Sequence, residues 1–307
     1  MSTSLADTSA GEINKALLTA RQAHGGPTAG HVMTLIMATE GHGSGPAVQA
    51  TCRTAAEHPS RILVVRRHPR ESCIRLDAEV FGSGERGPGE MVILDLSGEL
   101  AHHAESVVLP LLIPDTPVVT FWPGAGPEDP SADALGRLSQ RRVTDLAAAP
   151  DPVGQLQARA AHYADGDTDL AWTRLTLWRS VLATALDDQY SQPTAGAVAA
   201  EPGSASAELL TLWLSGRLHI PVQRVDSTGP GLTEVRLTFD EGEVALRRTD
   251  GRLAMLTSPG HAERPIALKR RDLSELMNEE LRRLDADDIY AECLARIRET
   301  ANEEDRA

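Results

Sequence analysis

The sequence predicts an α/β protein of two domains. It predicts an N-terminal layered α/β domain with a mixed sheet over residues 1–150, and a C-terminal α+β domain with an antiparallel meander and flanking helices over residues 151–307. Two observations support this division: strand-like and helical segments alternate in the first half, whereas three strand-like segments follow one another directly in the second. A third is segment 147–153, whose Ala- and Pro-rich composition is typical of a linker.

The elements of the N-terminal half follow from apolar periodicity and helix-capping residues. Ser9 stands three residues before Glu12, a capping box that predicts a helix over 10–23. Pro46 suits the first turn of a second helix, which ends near residue 57. Strands are predicted over 31–39, 61–65, 72–81, 90–96 and 117–122, with a further helix over 99–111. Since helices do not separate all of these strands, we expect a mixed sheet.

The C-terminal half opens with a long predicted helix and continues through a polar connection. The helix is predicted over 170–187, and the Pro-, Ala- and Gly-rich segment 192–204 is interpreted as flexible. Asp250-Gly251 is a strong hairpin signal inside the meander. The remaining predictions are helices over 205–218, 272–284 and 287–300, and strands over 221–225, 234–239, 243–248, 252–256 and 264–269.

Charge and cysteine content exclude several classes of function. The chain carries 30 basic and 44 acidic residues, a formal net charge of −14, and such a field repels nucleic acid and anionic lipid. Its longest apolar runs are far shorter than the roughly 20 residues of a membrane helix. Cys52, Cys73 and Cys293 show neither metal-ligand spacing nor an even count for disulfides. We therefore expect a cytoplasmic protein that binds no nucleic acid and no membrane.

The catalytic inventory is poor. The sequence contains no Gly-x-Ser-x-Gly nucleophile motif, and no cysteine has an evidently activating neighbourhood. His102 and His103 are adjacent, so on a helix their side chains diverge by about 100° and do not share a metal ion. Asp165, Asp167 and Asp169 are better interpreted as helix caps than as a calcium loop. From these residues we predict no catalytic residue, no metal site and no cofactor.

A glycine-rich loop provides the alternative function. Gly41, Gly43, Ser44 and Gly45 lie between a predicted strand and a predicted helix, where backbone N–H groups favour a phosphate. The loop lacks the Gly-Lys-Ser/Thr ending of a P-loop. Arg66-Arg67, at the end of the next strand, suits the 2′-phosphate of NADP. A nucleotide- or sugar-phosphate-binding protein or enzyme and an ordinary turn both remain open.

Two clusters are candidates for binding a protein partner. Trp172, Arg174, Trp178 and Arg179 combine the residue types that dominate interfaces, with Arg174 and Trp178 spaced to stack. The alternative is that the tryptophans belong to the core and the arginines form its solvated fringe. His58, Ser60 and Arg61 open a basic stretch, for which three alternatives remain: it binds an anion, it binds an acidic partner, or it interleaves with neighbouring carboxylates.

Several motifs in the same order resemble the glucose-6-phosphate dehydrogenase assembly protein family, OpcA. They are segments 57–61, 106–119 with Trp122-Pro123, 141–145, 166–174, 206–210, 229–231 and 270–273. The resemblance runs from about residue 13 to residue 295. One departure is Leu177, where the family pattern has Pro and where we expect the helix to continue unbroken.

The resemblance implies a non-catalytic role. Family members, from actinobacteria and cyanobacteria, are assembly factors or allosteric activators of glucose-6-phosphate dehydrogenase in the oxidative pentose phosphate pathway. That enzyme is therefore the expected partner, and the two clusters above are the residues expected to contribute to its interface or to brace it. Redox control through cysteines is not carried over, because Cys52, Cys73 and Cys293 do not match the family positions.

Overall fold

The computed structural model describes residues 2–24, 30–41, 45–82, 89–124, 126–187, 191–248 and 250–304. Its strands are β1 (Thr3–Leu5), β2 (Met33–Glu40), β3 (Ser60–His68), β4 (Arg75–Phe81), β5 (Glu90–Ser97), β6 (Val118–Trp122), β7 (Arg141–Thr144), β8 (Asp167–Asp169), β9 (Ala195–Ala200), β10 (Val222–Asp226), β11 (Leu232–Phe239), β12 (Gly242–Arg248), β13 (Leu253–Thr257) and β14 (Arg264–Ala267). Its α-helices are α1 (Ala10–His24), α2 (Gly45–Glu57), α3 (Ala104–Val108), α4 (Pro152–Ala161), α5 (Leu170–Thr173), α6 (Thr176–Asp187), α7 (Ala205–Leu218), α8 (Leu273–Arg282) and α9 (Asp288–Glu304).

The chain forms two compact units, and each is discontinuous in sequence. The first unit comprises Met1–Asp145, Ala164–Thr168 and Leu273–Ala286, and the second comprises Leu146–Tyr163, Asp169–Asp272 and Asp287–Ala307. The division into domains 1–150 and 151–307 stays a prediction, because compactness alone does not show which segments fold independently.

The first unit contains an eight-stranded sheet, and its mixed character confirms the prediction. The strand order is β1-β4-β5-β3-β2-β6-β7-β8. The five strands from β5 to β7 are parallel neighbours, whereas β4 and β1 add antiparallel pairings at one edge. Numbered along the chain, the parallel strands run in the order 3-2-1-4-5, the doubly wound arrangement. The order therefore reverses between β2 and β6.

Helices cover both faces of this sheet. On one face, Ile13 and Leu17 of α1 pack in a core cluster with Ile36 of β2. On the other face, the Thr51 hydroxyl of α2 donates to the sulfur of Met37, 3.5 Å away. Since both faces are covered, the central strands are near-continuous apolar runs instead of alternating ones.

The second unit contains a six-stranded sheet in the order β10-β9-β11-β12-β13-β14. Strands β11 to β14 form the predicted antiparallel meander, and β10 pairs in parallel with β9. Val198 and Val235 of the sheet share a core with Leu210 of α7. The predicted α+β class is confirmed for this part of the chain.

Four predicted connections or helices differ from the structure. Segment 192–204 is not a flexible connection, since β9 lies inside it and pairs with both β10 and β11. Segment 147–153 is not simply a linker, because α4 begins at Pro152, capped by the Asp151 carboxylate that accepts from the amide of Gly154 at 3.0 Å. The helices predicted over 99–111 and 170–187 are each interrupted.

The small residues of β9 explain the first of these differences. Gly196 lets Leu237 and Val222 approach within 3.2 Å of the place a β-carbon would take, so small residues build a tightly packed strand. In segment 99–111, 3-10 turns flank the short helix α3.

None of the helices in the described ranges combines the length and apolarity needed to cross a bilayer.

Candidate partner-binding site

The predicted Trp/Arg cluster lies where one helix ends and the next begins. α5 ends at Thr173 and α6 starts at Thr176. The amide of Leu175 donates to the carbonyl of Trp172 at 2.9 Å, a three-residue turn that separates the two helices. Trp172 and Trp178 therefore do not share a helix, contrary to the prediction of one unbroken helix. The departure from the family pattern at Leu177 lies inside α6, after this break.

Trp172 is a buried anchor of the second unit, with 1% of its surface exposed. Its indole Nε1 donates to Asp287 Oδ2 at 2.8 Å, and its ring lies 5.8 Å from that of Tyr290. The guanidinium of Arg179 stacks on the Trp172 ring, 3.7 Å from the centre of that ring. Trp172 therefore holds Arg179 in place.

Trp178, also 1% exposed, has an arginine of its own. The guanidinium of Arg248, from β12, lies 4.9 Å from the centre of the Trp178 ring. Burial, together with the nearby charge of Arg270, lowers the pKa of Arg248 to about 10. The guanidinium over Trp178 thus comes from Arg248, whereas the sequence spacing predicts Arg174 there.

The four residues of the predicted Trp/Arg cluster differ in how deeply they are buried. Trp172 and Trp178 lie in the core cluster of the second unit, as the alternative interpretation of the tryptophans predicts. Of the two roles expected of them at an interface, direct contact or bracing, only bracing therefore stays open. Arg174 and Arg179 are half-buried, so they are the two members of the cluster that keep exposed surface. That these residues contact a partner stays a prediction.

The second predicted cluster lies at the amino ends of parallel strands in the first unit. Arg61 is 6% exposed, and its guanidinium bonds to Glu90 at 3.0 Å and to the carbonyl of Leu111 at 2.5 Å. Glu90 also accepts from Arg21, at 2.8 Å through Nη2. Arg61 is thus an internal ion-pair residue and does not face outward.

The ionisation of this cluster reflects two cations around one carboxylate. Burial lowers the pKa of Arg61, although the charge of Glu90 opposes this. Burial also acts to raise the pKa of Glu90, but the hydrogen bond from Arg21 and the charge of Arg61 outweigh it, so that pKa lies below its usual value. The neighbouring His31 has a lowered pKa, chiefly because of its burial.

His58 has a polar contact inside the first unit, whereas the hydroxyl of Ser60 is buried there without a hydrogen-bond partner among the described residues. The Nε2 atom of His58 lies 3.1 Å from the carbonyl oxygen of Asn278 in α8. Ser60 is fully buried. Further along the basic stretch, Arg66, Arg67 and Arg75 pair with Asp95, Asp133 and Asp77 at 3.5, 3.1 and 2.8 Å. The alternative in which this stretch interleaves with carboxylates is therefore confirmed for these three arginines.

The glycine-rich loop is described only at its two ends. Gly41 follows β2 with a φ of +66°, and Gly45 begins α2. Gly43 and Ser44 lie outside the described residues, so their predicted contact with phosphate stays a prediction.

The acidic run before α5 has structural partners. Asp167 pairs with Arg142 at 2.5 Å, and Asp169 caps α5 through the amide of Ala171 at 2.7 Å. Within the described ranges, no group of three or more His, Cys, Asp or Glu side chains is placed to hold a metal ion.

Sequence reasoning missed the residues that complete both clusters. Glu90 is 29 residues from Arg61, and Asp287 is 115 residues from Trp172. Arg248 likewise comes from a distant strand. No local pattern connects such pairs, because the fold alone brings them together.

The fold and the order of motifs define a two-part α/β protein with a Trp/Arg cluster in its second part. Residues 51–161 match the family model described as the glucose-6-phosphate dehydrogenase subunit N-terminal domain, and residues 165–294 match the corresponding C-terminal domain. The chain belongs to the glucose-6-phosphate dehydrogenase assembly protein family, OpcA. No curated protein matches the sequence.

Solved structures give distant similarities of overall fold. A 3-ketoreductase from Actinomadura kijaniata in complex with NADP is 10% identical, with a TM-score of 0.48, over 86% of this chain and 94% of that one. A biliverdin reductase from Synechocystis, in complex with biliverdin and NADP+, is 9% identical, with a TM-score of 0.43, over 88% and 98% of the two chains. Scores below 0.5 support no conclusion about the function of this chain.

Proposed function

We propose that the chain is a non-catalytic assembly factor and allosteric activator of glucose-6-phosphate dehydrogenase. It binds that enzyme and promotes its active oligomer, and so supports the oxidative pentose phosphate pathway. The observation that carries the proposal is the match of both halves of the chain to family models named after this enzyme. The poor catalytic inventory of the sequence is in keeping with a binding role.

Activation of this kind requires a difference in affinity between two states of the enzyme. A partner that binds the active oligomer more tightly than the inactive form shifts the population toward the active one. A coupling free energy of about 1–3 kcal/mol is enough for a roughly 5- to 150-fold effect. The proposal therefore needs only a modest preference for the active oligomer.

The Trp/Arg cluster of the second unit supplies a suitable contact surface. Arginine is enriched among the residues that dominate interface energetics, and its planar guanidinium pairs well with carboxylates. Because Arg179 is already held over the Trp172 ring at 3.7 Å, it loses less side-chain entropy on binding than a free arginine does. We therefore assign Arg174 and Arg179 to the contact and the two tryptophans to its support.

The proposal is tested by titrating the chain into purified dehydrogenase from the same organism at limiting glucose 6-phosphate. NADPH formation is followed by absorbance, and heat-denatured chain serves as the control. We expect a saturable rise in rate. No change in rate, together with no co-elution on a sizing column, overturns the proposal.

The contact surface is tested with a matched pair of double variants. Arg174→Gln with Arg179→Gln removes two charges from the cluster, and we expect binding to the enzyme to weaken at least tenfold. Arg217→Gln with Arg236→Gln removes the same charge from exposed ion pairs elsewhere in the second unit. We expect the control to bind like the wild type. Equal loss in both variants would show a general charge effect and contradict the assigned surface.

A further inference from the structure

Buried donors without acceptors collect at the carboxyl ends of the parallel strands in the first unit. Thr39 Oγ1, Arg66 Nε, Arg67 Nε and Trp122 Nε1 are buried and have no hydrogen-bond partner among the described residues. They belong to β2, β3 and β6, which are adjacent in the sheet. Thr39 pairs in register with Arg66, and Phe121, the residue before Trp122, pairs with Met37.

Such atoms are rare in folded proteins because an unpaired buried donor keeps its full desolvation cost. Trp122 is 3% exposed, so bulk water does not satisfy its indole N–H. Arg66 and Arg67 use other nitrogen atoms to pair with Asp95 and Asp133, which leaves each Nε–H unused. An indole N–H and a guanidinium N–H only donate. The group that is missing must therefore be an acceptor.

The position of these donors is the usual ligand-binding position of this type of sheet. In a doubly wound sheet, ligands bind outside the carboxyl ends of the strands where the strand order reverses, and here that point lies between β2 and β6. Helix α2 follows β2, spans 13 residues and has no acidic residue in its first turn. Its N-terminus therefore favours an anion.

The donors also indicate the size of the ligand. Side chains alternate between the two faces of a sheet. Thr39 and Arg66 share the face of Met37, which contacts α2, whereas Trp122 lies on the opposite face, in the core cluster with Ile36. Arg67 follows Arg66 and so also lies on that opposite face. A single phosphate ion does not reach donors on both faces, whereas a longer molecule lying across the strand ends does.

We infer that the carboxyl edge of this sheet binds a phosphate-bearing ligand of the nucleotide class, whose oxygen atoms accept hydrogen bonds from Trp122, Arg66 and Arg67. The inference is independent of the proposed interaction with the dehydrogenase. It gives the chain a small-molecule site in the first unit.

The test measures binding to the full chain alone by calorimetry and by thermal shift, with NADP+, AMP, inorganic pyrophosphate and orthophosphate as probes. We expect saturable binding of at least one nucleotide, at least tenfold tighter than that of orthophosphate. No heat and no shift with any probe at millimolar concentration overturns the inference. Orthophosphate binding as tightly as the nucleotides overturns the assigned class.

Variants test the assigned donors. Trp122→Phe removes the indole N–H and keeps an aromatic ring, and we expect nucleotide binding to weaken about tenfold or more. Trp213→Phe, a half-buried tryptophan of the second unit, is the control and should bind like the wild type. If Trp122→Phe does not fold, Arg67→Lys keeps the charge next to Asp133 but removes Nε–H, with the same expected loss. Unchanged affinity in the folded variant contradicts the assignment.

Discussion

Glu90 illustrates how a single carboxylate fixes two cations. Its side chain is 2% exposed, that of Arg61 is 7% exposed, and that of Arg21 is 24% exposed. Two guanidinium groups around one carboxylate leave a net positive charge in a site that is largely shielded from water. Within this cluster, Glu90 is the negative charge that balances the two arginines. The loss of this one charge should therefore matter more than the loss of either cation.

We predict that Glu90→Gln lowers the free energy of unfolding by about 3 kcal/mol, because it leaves Arg61 charged and uncompensated in the interior. The measurement is urea unfolding followed by circular dichroism. Glu292→Gln breaks the exposed ion pair with Arg217 and should cost less than about 1 kcal/mol. Similar costs for the two variants would mean that the Glu90 cluster is solvated in solution.

The lowered pKa of Glu90 predicts that the free energy of unfolding depends on pH. The pKa of Glu90 is lower in the folded chain than its ordinary value of 4.5, so the unfolded chain takes up this proton at higher pH. The stability contributed by ionised Glu90 is therefore complete above about pH 5 and is lost as the pH falls through the folded pKa. The difference in unfolding free energy between wild type and Glu90→Gln should be constant from pH 7 to 5 and shrink below. A difference that grows toward acidic pH would contradict this sign.

At the scale of elements, the sequence predicts what depends on local pattern and misses what depends on packing. The capping box at Ser9 and the apolar periodicity of α1 locate that helix to within a residue. By contrast, the composition of β9 suggests a flexible segment, and only its two neighbouring strands make it a strand. The short strands β7 and β8 are missed for the same reason.

Asp287 both caps the start of helix α9 and binds a residue of the Trp/Arg cluster. Its Oδ1 accepts from the amides of Ile289 and Tyr290 at the start of α9, both at 3.0 Å, and its Oδ2 holds the indole of Trp172. One side chain thus caps a helix and fixes the ring on which Arg179 stacks.

We predict that Asp287→Ala lowers the unfolding free energy by about 2–4 kcal/mol, about 1 from the lost cap and the rest from the unpaired indole N–H. Asp151→Ala removes only the cap of α4 and should cost about 1 kcal/mol. Thermal unfolding monitored by tryptophan fluorescence measures both. Equal costs would mean that the Trp172 bond contributes nothing to stability.

At the scale of the whole molecule, the sequence predicts the fold class and the family, but only part of the candidate sites. Trp172 and Arg179 belong to one predicted cluster and are found in contact, although the spacing predicts a stack of Arg174 on Trp178 and the structure places Arg248 there. Of the two alternatives for Arg61, an acidic partner or pairing with neighbouring carboxylates, the structure shows the second. A linear pattern identifies unusual residue types. It does not show which of their neighbours are distant in sequence, and those neighbours decide whether a charge points outward.

Helix α8 bears on the predicted domain organisation. It follows the meander in sequence, yet it contributes to the first unit. Ser274 accepts from Arg53 of α2 at 3.4 Å, and Glu280 pairs with Arg141 at 2.7 Å, with both side chains of that pair buried. A boundary near residue 150 would assign α8 to the other domain.

We therefore predict that α8 opens together with the first unit in hydrogen exchange of the full chain measured by mass spectrometry. Glu90→Gln destabilises the first unit and should speed exchange in α8 along with β3 and β5, because the opening of a cooperative unit exposes all of its amides. Asp287→Ala destabilises the second unit and should speed exchange in α6 and α9 while leaving α8 close to wild type. Faster exchange of α8 in Asp287→Ala alone would instead support a domain that runs from residue 151 to residue 307.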